Sequence, residues 1–347
     1  MEGVEVRLER LKLSNYRNFD NIDLAFPHRA NLFFGPNGAG KTNLLESINY
    51  LSVAKSHRGG RDREVIRFGQ ESFRIEGMGE KEQRQIKIEI SFKAQEKRIC
   101  LNSNQLSVSE LVGNLPVVPL SSDDIETTRG TPLLRRRFVD MILSFLKPSY
   151  FAGLMSYRRV LQQRNRILAD ARTFNRNCES IEAWNMQLIQ FGSELIRSRM
   201  KFAGEFSRLA SKYYGAMAPE GEAYELTYHP SVPLEGPSIE DSFADQLEKS
   251  KDLEKERGAT LVGPHRDDFV QKLSGRDMRR FASEGEQRTA SISMKLAGAE
   301  LVREGTGEWP IVMFDEVFAE LDRERVERVG KAIDNLGQVF IATAKAN

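Results

Sequence analysis

Cysteine is scarce in this chain of 347 residues, because Cys100 and Cys178 are its two cysteines and neither belongs to a C-x-x-C pair. So few cysteines exclude a disulfide scaffold and favour a reducing compartment. The four histidines lie far apart, so no zinc-ligand spacing is present. Long apolar runs are missing, and the N-terminal M-E-G-V-E-V-R-L-E-R is charged rather than signal-like. These absences predict a soluble, cytoplasmic protein with no membrane partner.

An excess of charge of one sign is also absent from the chain as a whole, whose net charge is +1. The total hides an asymmetry. Between Leu133 and Lys212, fifteen Lys and Arg residues accompany six Asp and Glu residues, a net of +9, so the remainder sums to −8. A basic segment attached to an acidic remainder indicates a polyanionic partner.

The motif that organises the chain is G-P-N-G-A-G-K-T, which matches the P-loop pattern G-x-x-x-x-G-K-[ST]. An apolar run precedes it and residues with helical spacing follow, the strand-to-helix context that a P-loop requires. Such a turn points backbone N–H groups into one concavity, and the start of the helix adds its positive end. We expect Lys41 to reach the β- and γ-phosphates of a nucleotide and Thr42 to ligate magnesium. The predicted nucleotide-binding residues are Gly35, Pro36, Asn37, Gly38, Ala39, Gly40, Lys41 and Thr42.

A second half of the nucleotide site follows the apolar run from Ile311 to Phe314. This run predicts a buried strand whose C-terminal end brings Asp315 to the crevice where open α/β sheets bind ligands. Asp315 is expected to hold magnesium together with Thr42, and Glu316 to orient or deprotonate the attacking water. With Lys41 they form the predicted catalytic set. ATP and Mg²⁺ are the expected cofactors, and ATP hydrolysis is the expected activity.

The segment S-E-G-E-Q, from Ser283 to Gln287, stands shortly before the Asp-Glu strand. In ABC-type ATPase heads a signature segment in this position lies at a helix N-terminus and binds the γ-phosphate of ATP held by a second copy. The Ser283 hydroxyl, the Gly285 backbone and the helix dipole suit that task. Ser283 and Glu286 equally fit an ordinary capping box, and both descriptions can be true.

The layout predicts an α/β fold, an ABC-type ATPase head with a P-loop sheet, flanking helices and an antiparallel β part. Apolar residues recur at helical spacing from Phe138 to Leu209, which predicts an inserted α-helical lobe. The predicted ATPase domain is discontinuous and comprises residues 1–122 and 255–347. Residues 123–254 form the predicted lobe with its polar connector.

Longer motifs along essentially the whole chain resemble those of the RecF family, bacterial recombinational-repair ATPases related to the heads of SMC proteins. Besides the P-loop they are L-S-N-Y-R-N-F at Leu13, G-T-P-L-L-R-R-R-F-V-D at Gly130, Q-R-N at Gln163, G-P-H-R-D-D at Gly263, S-E-G-E-Q-R-T at Ser283 and F-D-E-V-F-A-E-L-D at Phe314.

This resemblance implies an ATP-dependent homodimer that binds double-stranded DNA at single-strand gap junctions. It implies cooperation with RecR and RecO, promotion of RecA loading, and slow, DNA-stimulated ATP hydrolysis that releases the DNA. It also implies that Arg17 lies near the nucleotide and that Ala319 to Asp322 form a D-loop.

Two heads fixed by shared ATP would align their basic surfaces on backbone phosphates without reading bases. The candidate DNA contacts are Arg58, Arg61, Arg63, Arg135 and Arg136, with Arg158 and Arg159 as further candidates. Arg135 to Arg137 lie along one predicted helix and cannot all face one way. At least one of them is expected to pair with acids such as Asp140.

Three other functions fit parts of the pattern. A transporter ATPase subunit would share the nucleotide site, but its switch strand would end in a histidine where this chain has Ala342-Thr343-Ala344. An SMC-like structural protein would need a long coiled coil between the two halves of the site. A binding module with an inert ATP site would have no need of Lys41, Asp315 and Glu316.

Overall fold

The computed structural model describes residues 5–27, 29–56, 58, 60–174, 181–218 and 222–344, so Cys178, His28 and His57 lie outside the described residues. The chain divides into two compact units. Unit 1 comprises Met1–Ile125, Lys212–Glu222 and Ser283–Asn347, and unit 2 comprises Glu126–Ser211 and Ala223–Ala282. None of the helices in the described ranges combines the length and the apolar composition that a membrane-spanning segment needs.

The strands in chain order are β1 (Arg7–Tyr16), β2 (Phe19–Ala25), β3 (Ala30–Phe34), β4 (Ser72–Lys81), β5 (Arg84–Lys93), β6 (Glu96–Leu101), β7 (Asn104–Gln105), β8 (Val117–Ser121), β9 (Tyr224–His229), β10 (Asp268–Leu273), β11 (Arg276–Asp277), β12 (Ile311–Asp315) and β13 (Val339–Thr343). The α-helices are α1 (Lys41–Val53), α2 (Val108–Leu111), α3 (Glu126–Arg129), α4 (Pro132–Leu146), α5 (Pro148–Phe174), α6 (Ile181–Met217), α7 (Ile239–Arg257), α8 (Met278–Phe281), α9 (Glu284–Thr306) and α10 (Arg323–Ile333).

Unit 1 is built on two sheets. One is parallel in the order β3-β13-β12-β8, and the other is antiparallel in the order β2-β1-β4-β5-β6-β7. Helix α1 packs against strands of both sheets, and every residue from Leu44 to Ser52 is buried. A Cβ on Gly77 of β4 would stand 2.4 Å from Leu51 Cδ1, so this glycine permits the close approach of strand and helix. The α/β prediction is confirmed by this layered architecture.

Unit 2 contains α3, α4, α5, most of α6, α7 and α8, together with the antiparallel sheet β11-β10-β9. Its boundaries differ from the predicted lobe, because β10 pairs along its length with β9 and so residues 255–282 belong to this unit. The segment interpreted as a polar connector contains β9 and the 19-residue helix α7. That helix escaped prediction because its apolar face is narrow: Phe243 and Leu247 are its buried apolar residues.

Buried ion pairs organise unit 2. Arg199 is fully enclosed and donates to Asp140 Oδ1 and Asp267 Oδ2, each at 2.8 Å, and to the Pro264 carbonyl at 2.6 Å. Arg164 of the Q-R-N motif similarly donates to the buried Glu254 carboxylate at 2.6 Å. Motifs that follow the RecF pattern in this unit therefore connect distant helices and loops through ionic hydrogen bonds.

Replacing Arg199 with Met should lower the free energy of unfolding by about 3–5 kcal/mol, because Asp140 and Asp267 would be left without their buried cation. Denaturant unfolding measures the change. Arg197 on the same helix is the matched control, since it pairs with Glu194 and Glu240 at the surface. Arg197→Met should cost less than about 1 kcal/mol. Equal destabilisation of the two variants would contradict a specific role for the buried network.

Candidate nucleotide site

The P-loop lies between the end of β3 and the start of α1. Gly38 and Gly40 have φ angles of 85° and 102°, in the left-handed region that favours glycine. Gly40 is the N-cap of α1 and contributes no side-chain acceptor, so the N–H groups of the first helical turn can bind an anion. A Cβ on Gly40 would stand 2.6 Å from Nδ2 of Asn18, so neighbouring atoms also require glycine here.

Lys41 places its ammonium inside the loop. Its Nζ donates to the Gly35 carbonyl at 2.8 Å and the Pro36 carbonyl at 3.2 Å, and it lies 3.2 Å from Glu316 Oε1. The Lys41 side chain is 9% exposed. The cation is therefore oriented by the loop backbone, with the Glu316 carboxylate beside it.

Thr42 and Asp315 meet although 273 residues separate them in sequence, and Thr42 Oγ1 donates to Asp315 Oδ1 at 3.1 Å. Parallel pairing of β12 with β13 and β8 places Asp315 opposite Ala342 and Ser121 at the carboxyl edge of the sheet. Burial raises the pKa of the Asp315 carboxyl. The Thr42 hydrogen bond opposes this rise, and the adjacent Glu316 carboxylate reinforces it.

These residues fit a magnesium ion. A hydroxyl and a carboxylate are hard oxygen donors, and Mg²⁺ is commonly held by one or two protein groups together with substrate phosphates. The described residues contain no cluster of three or more His, Cys, Asp or Glu side chains that could hold a metal without such help.

Glu316 follows β12 in a left-handed conformation, with φ at 55°. Its N–H donates to the Ala342 carbonyl at 3.0 Å, and its Oε2 accepts from the Ala344 N–H at 3.1 Å. The end of β13 therefore fixes both the backbone and the carboxylate of Glu316. A left-handed non-glycine residue costs roughly 1 kcal/mol or more, which these contacts offset.

The predicted signature serine is the N-cap of α9. Ser283 Oγ accepts from the Glu286 N–H at 3.3 Å, and the Ser283 N–H donates to Glu286 Oε2 at 2.5 Å, which confirms the capping-box interpretation. The remaining first-turn N–H groups, including that of Gly285, have no partner within the helix. An anion site at this terminus is therefore compatible with the cap.

Gly285 lies against a residue that the sequence did not single out. A Cβ at this glycine would stand 2.5 Å from Nη1 of Arg325, which also donates to Asp322 Oδ2 at 3.0 Å. Arg325 thus connects the signature glycine to the aspartate at the end of the predicted D-loop. No local pattern around α10 could have revealed this contact.

Arg17 is engaged within the fold. Its Nε and Nη2 donate to the buried Glu46 carboxylate of α1 at 2.8 and 2.7 Å, and its Nη1 donates to the Glu64 carbonyl at 2.9 Å. The hydrogen bonds with Glu46 raise the pKa of the Arg17 guanidinium. The next residue, Asn18, lies against Gly40 of the P-loop. A position of Arg17 near the bound nucleotide stays a prediction.

The five predicted DNA contacts divide into two sets. Arg135 is 4% exposed, and its Nε and Nη2 donate to the Asp268 carboxylate at 2.8 and 3.0 Å. Its Nη1 donates to backbone carbonyls, so the structure does not support Arg135 as a DNA contact. Arg136 is half-buried and donates to the Asp267 carbonyl, and burial lowers the pKa of its guanidinium. Arg135 pairs with Asp268, although Asp140 was the acid that the sequence suggested.

The remaining arginines lie in the basic loop after α1, and Arg58, Arg61 and Arg63 are exposed. Arg58 differs from the other two because its Nη1 donates to Asn43 Oδ1 on α1 at 3.2 Å. Its charge also lies close enough to Asp315 to oppose the rise in the pKa of that carboxyl. Arg58 therefore faces the candidate nucleotide site, while Arg61 and Arg63 stay available to a partner in solution.

Comparison with known proteins gives a consistent family. Residues 7–347 match the family model described as RecF/RecN/SMC N terminal domain. The chain is 34% identical to the DNA replication and repair protein RecF of Halalkalibacterium halodurans, over 99% of this chain and 94% of that protein. It is 33% identical to the protein of the same name from Bacillus subtilis, over 98% of this chain and 94% of that one.

Solved structures of similar proteins point to the same family. A structure of the recombination mediator protein RecF-ATPrS in the RecFOR pathway has a TM-score of 0.92 and 30% identity, covering 100% of this chain and 94% of that one. The corresponding RecF-ATP structure has a TM-score of 0.91, with 30% identity, 99% coverage of this chain and 94% of that chain. An SMC head bound to the C-winged helix domain of ScpA shares the fold, with a TM-score of 0.57 and 18% identity, covering 97% of this chain and 89% of that chain.

Replacing Asp315 with Asn should raise the melting temperature of the nucleotide-free protein by roughly 1–3 °C. A raised pKa means that the folded chain holds the proton more tightly than the unfolded chain, so ionisation of Asp315 at neutral pH lowers stability. The amide avoids that cost. Calorimetry at pH 7 measures the shift, with Asp123→Asn on the exposed neighbouring turn as the control. A lower melting temperature for Asp315→Asn would contradict the electrostatic argument.

Proposed function

The chain belongs to the RecF family of DNA replication and repair proteins, and from that premise we propose that it is a cytoplasmic ATP-dependent DNA-binding protein of recombinational repair and replication restart. The observation that carries the proposal is the meeting of Thr42 with Asp315 at 3.1 Å, with Lys41 and Glu316 beside them. Few arrangements other than a phosphoryl-transfer site use a P-loop lysine, a P-loop hydroxyl and a strand-end acidic pair together.

The residues divide the chemistry of ATP hydrolysis between them. Lys41 and the loop N–H groups bind the phosphate chain, and Thr42 and Asp315 are the residues that would hold magnesium. A bound magnesium ion would offset the charge of the β- and γ-phosphate oxygens. Glu316 orients a water and accepts its proton as the water oxygen attacks the γ-phosphorus. The bond from the γ-phosphorus to the bridging oxygen breaks, and the products are ADP and inorganic phosphate.

The signature segment from Ser283 to Gln287 is proposed to make ATP hydrolysis depend on two copies of the chain. In this proposal Ser283, Gly285 and the α9 N-terminus contact the γ-phosphate of ATP bound by the partner copy. The capping box supports the role by fixing the conformation of the turn while first-turn N–H groups stay available. Hydrolysis removes the shared γ-phosphate, weakens the dimer and releases the DNA.

In this proposal, exposed arginines bind DNA through contacts with its phosphate backbone. Arg61 and Arg63 are the candidates that fit best, because they are exposed and their charge can neutralise phosphates without reading bases. Duplex DNA at single-strand gap junctions is the proposed substrate, and DNA is proposed to stimulate the slow ATPase. Solved relatives described as recombination mediators in the RecFOR pathway support cooperation with RecR and RecO, and through them promotion of RecA loading.

Mg-ATP should convert the protein from monomer to dimer, which light scattering measures directly. Lys41→Met should abolish the shift, because the phosphate chain is deprived of its cation. Ser283→Arg should leave ATP binding intact and still block the dimer, because the signature acts on the partner's nucleotide. Glu316→Gln should give a long-lived ATP dimer, since the proton acceptor is removed.

The control variant is Ser109→Arg, which introduces the same bulk and charge at another exposed serine of unit 1. It should dimerise like the wild type. A normal ATP-bound dimer in Ser283→Arg would exclude the role of the signature across the interface. A mass that never changes with ATP would contradict the dimer as a whole.

The number of DNA phosphates that the arginines neutralise can be measured from salt dependence. The slope of log affinity against log salt changes by about 0.9 for each phosphate that the protein neutralises. Arg61→Ala combined with Arg63→Ala should therefore reduce the slope by about 2 in fluorescence anisotropy with a gapped duplex. Arg323→Ala is the control, because that side chain is 95% exposed on α10. An unchanged slope in the double variant would show that Arg61 and Arg63 do not contact the DNA phosphates.

A further inference from the structure

A closed set of side-chain contacts links the turn after β1 to α1 and to the basic loop. Arg17 and Ser56 both donate to the buried Glu46 carboxylate. The Arg58 N–H donates to Ser56 Oγ at 3.2 Å, so the loop that carries Arg58 is connected to the same carboxylate.

The side chain of Arg58 extends these contacts to Asn18, the residue after Arg17 in sequence. Arg58 donates to Asn43, and Asn43 donates to Asn18. Asn18 is thereby held at two points, through its neighbour and through its own side chain.

The direction of these hydrogen bonds orients the Asn18 amide. A guanidinium has only donors, so Asn43 must present its Oδ1 to Arg58, at 3.2 Å. Asn43 therefore turns its Nδ2 towards Asn18 and donates to Asn18 Oδ1 at 2.8 Å. This leaves the Asn18 NH₂ group as a donor, and its side chain donates to no acceptor among the described residues.

The free donor stands at the P-loop. Asn18 Nδ2 lies 2.6 Å from the position that a Cβ on Gly40 would occupy, and the side chain of Asn18 is exposed rather than covered by the fold. Gly40 immediately precedes Lys41, in the part of the loop that cradles the α- and β-phosphates of a bound nucleotide. An oriented and unused N–H donor at this position matches an anionic ligand in both charge and hydrogen bonding.

We propose that the Asn18 side-chain amide donates a hydrogen bond to an α- or β-phosphate oxygen of the bound nucleotide, and that Asn43 and Arg58 are the positioning residues that present it. The inference rests on the proposed function, since it assumes that the P-loop binds a nucleotide. In this arrangement Arg17 holds the turn after β1 through its hydrogen bonds with Glu46, and Asn18 makes the phosphate contact.

Replacing Asn18 with Asp tests the contact, because the new side chain has the same shape but presents a carboxylate oxygen where the amide donated. Affinities for Mg-ATP and Mg-ADP, measured by calorimetry, should both fall by roughly tenfold or more, since a charged hydrogen bond is exchanged for repulsion. The melting temperature without nucleotide should stay within about 1 °C of the wild type. Asn21→Asp is the matched control, because Asn21 is an exposed asparagine of β2 that gains the same charge.

Nucleotide binding by Lys41→Met distinguishes the absence of the Asn18 contact from the absence of a nucleotide site. Lys41→Met serves as the reference for the site. If Lys41→Met no longer binds ATP and ADP while Asn18→Asp binds both within twofold of the wild type, the Asn18 contact is overturned and the nucleotide site stands. If Lys41→Met still binds both nucleotides, the proposed function falls and the inference falls with it.

A second variant tests the positioning role of Asn43. Asn43→Asp can only accept hydrogen bonds, so it keeps Arg58 but turns the Asn18 amide until its oxygen faces the phosphates. Affinity for ATP and ADP should fall in the wild-type background, and the fall should be several-fold smaller in an Asn18→Ala background. Equal falls in the two backgrounds would show only the added charge and would overturn the positioning role of Asn43.

Discussion

Parallel pairing among β3, β13 and β12 is the constraint on which the rest of unit 1 depends. The three strands come from both ends of the sequence, and parallel strands bring their carboxyl ends to one edge of a sheet. That pairing brings Thr42 within hydrogen-bonding distance of Asp315. It also lets the end of β13 hold Glu316 through Ala342 and Ala344. The candidate site exists only when the sheet is complete, so folding and nucleotide chemistry share one set of contacts.

Charged side chains have two distinct uses in this protein. Arg135, Arg164 and Arg199 are buried and bonded to carboxylates, and they join helices and loops that are distant in sequence. Burying a cation is costly unless its donors are all satisfied, so such residues are not available to a ligand. Arg61 and Arg63 are exposed and can meet a polyanion at little cost of desolvation. The net charge of the basic segment between Leu133 and Lys212 therefore overstates the positive charge that is accessible to a polyanion.

Local backbone contacts and hydrogen bonds hold the parts of the candidate site in place. The loop glycines, the capping box at Ser283 and the bonded carboxylate of Glu316 fix backbone positions before any ligand arrives. Arg58 and Arg325 lie at the edges of the P-loop and of the signature segment, where Arg58 donates to Asn43 and Arg325 donates to Asp322. Preorganised donors reduce the cost of reorganisation during catalysis.

The sequence by itself determined the features whose physics is local. The P-loop, the strand before Asp315, the capping box of Ser283 and Glu286, and the strand Val339–Thr343 all depend on neighbouring residues, so pattern and spacing were sufficient. Only the tertiary structure decided which acid each arginine meets, that α7 and β9 fill the polar connector, and that Asn18 rather than Arg17 lies beside Gly40. A guanidinium binds whichever carboxylate or carbonyl the fold brings near it, and that partner lies up to 133 residues away for Arg135. No local pattern carries this information, because the pairing is created by packing between elements that are remote in sequence.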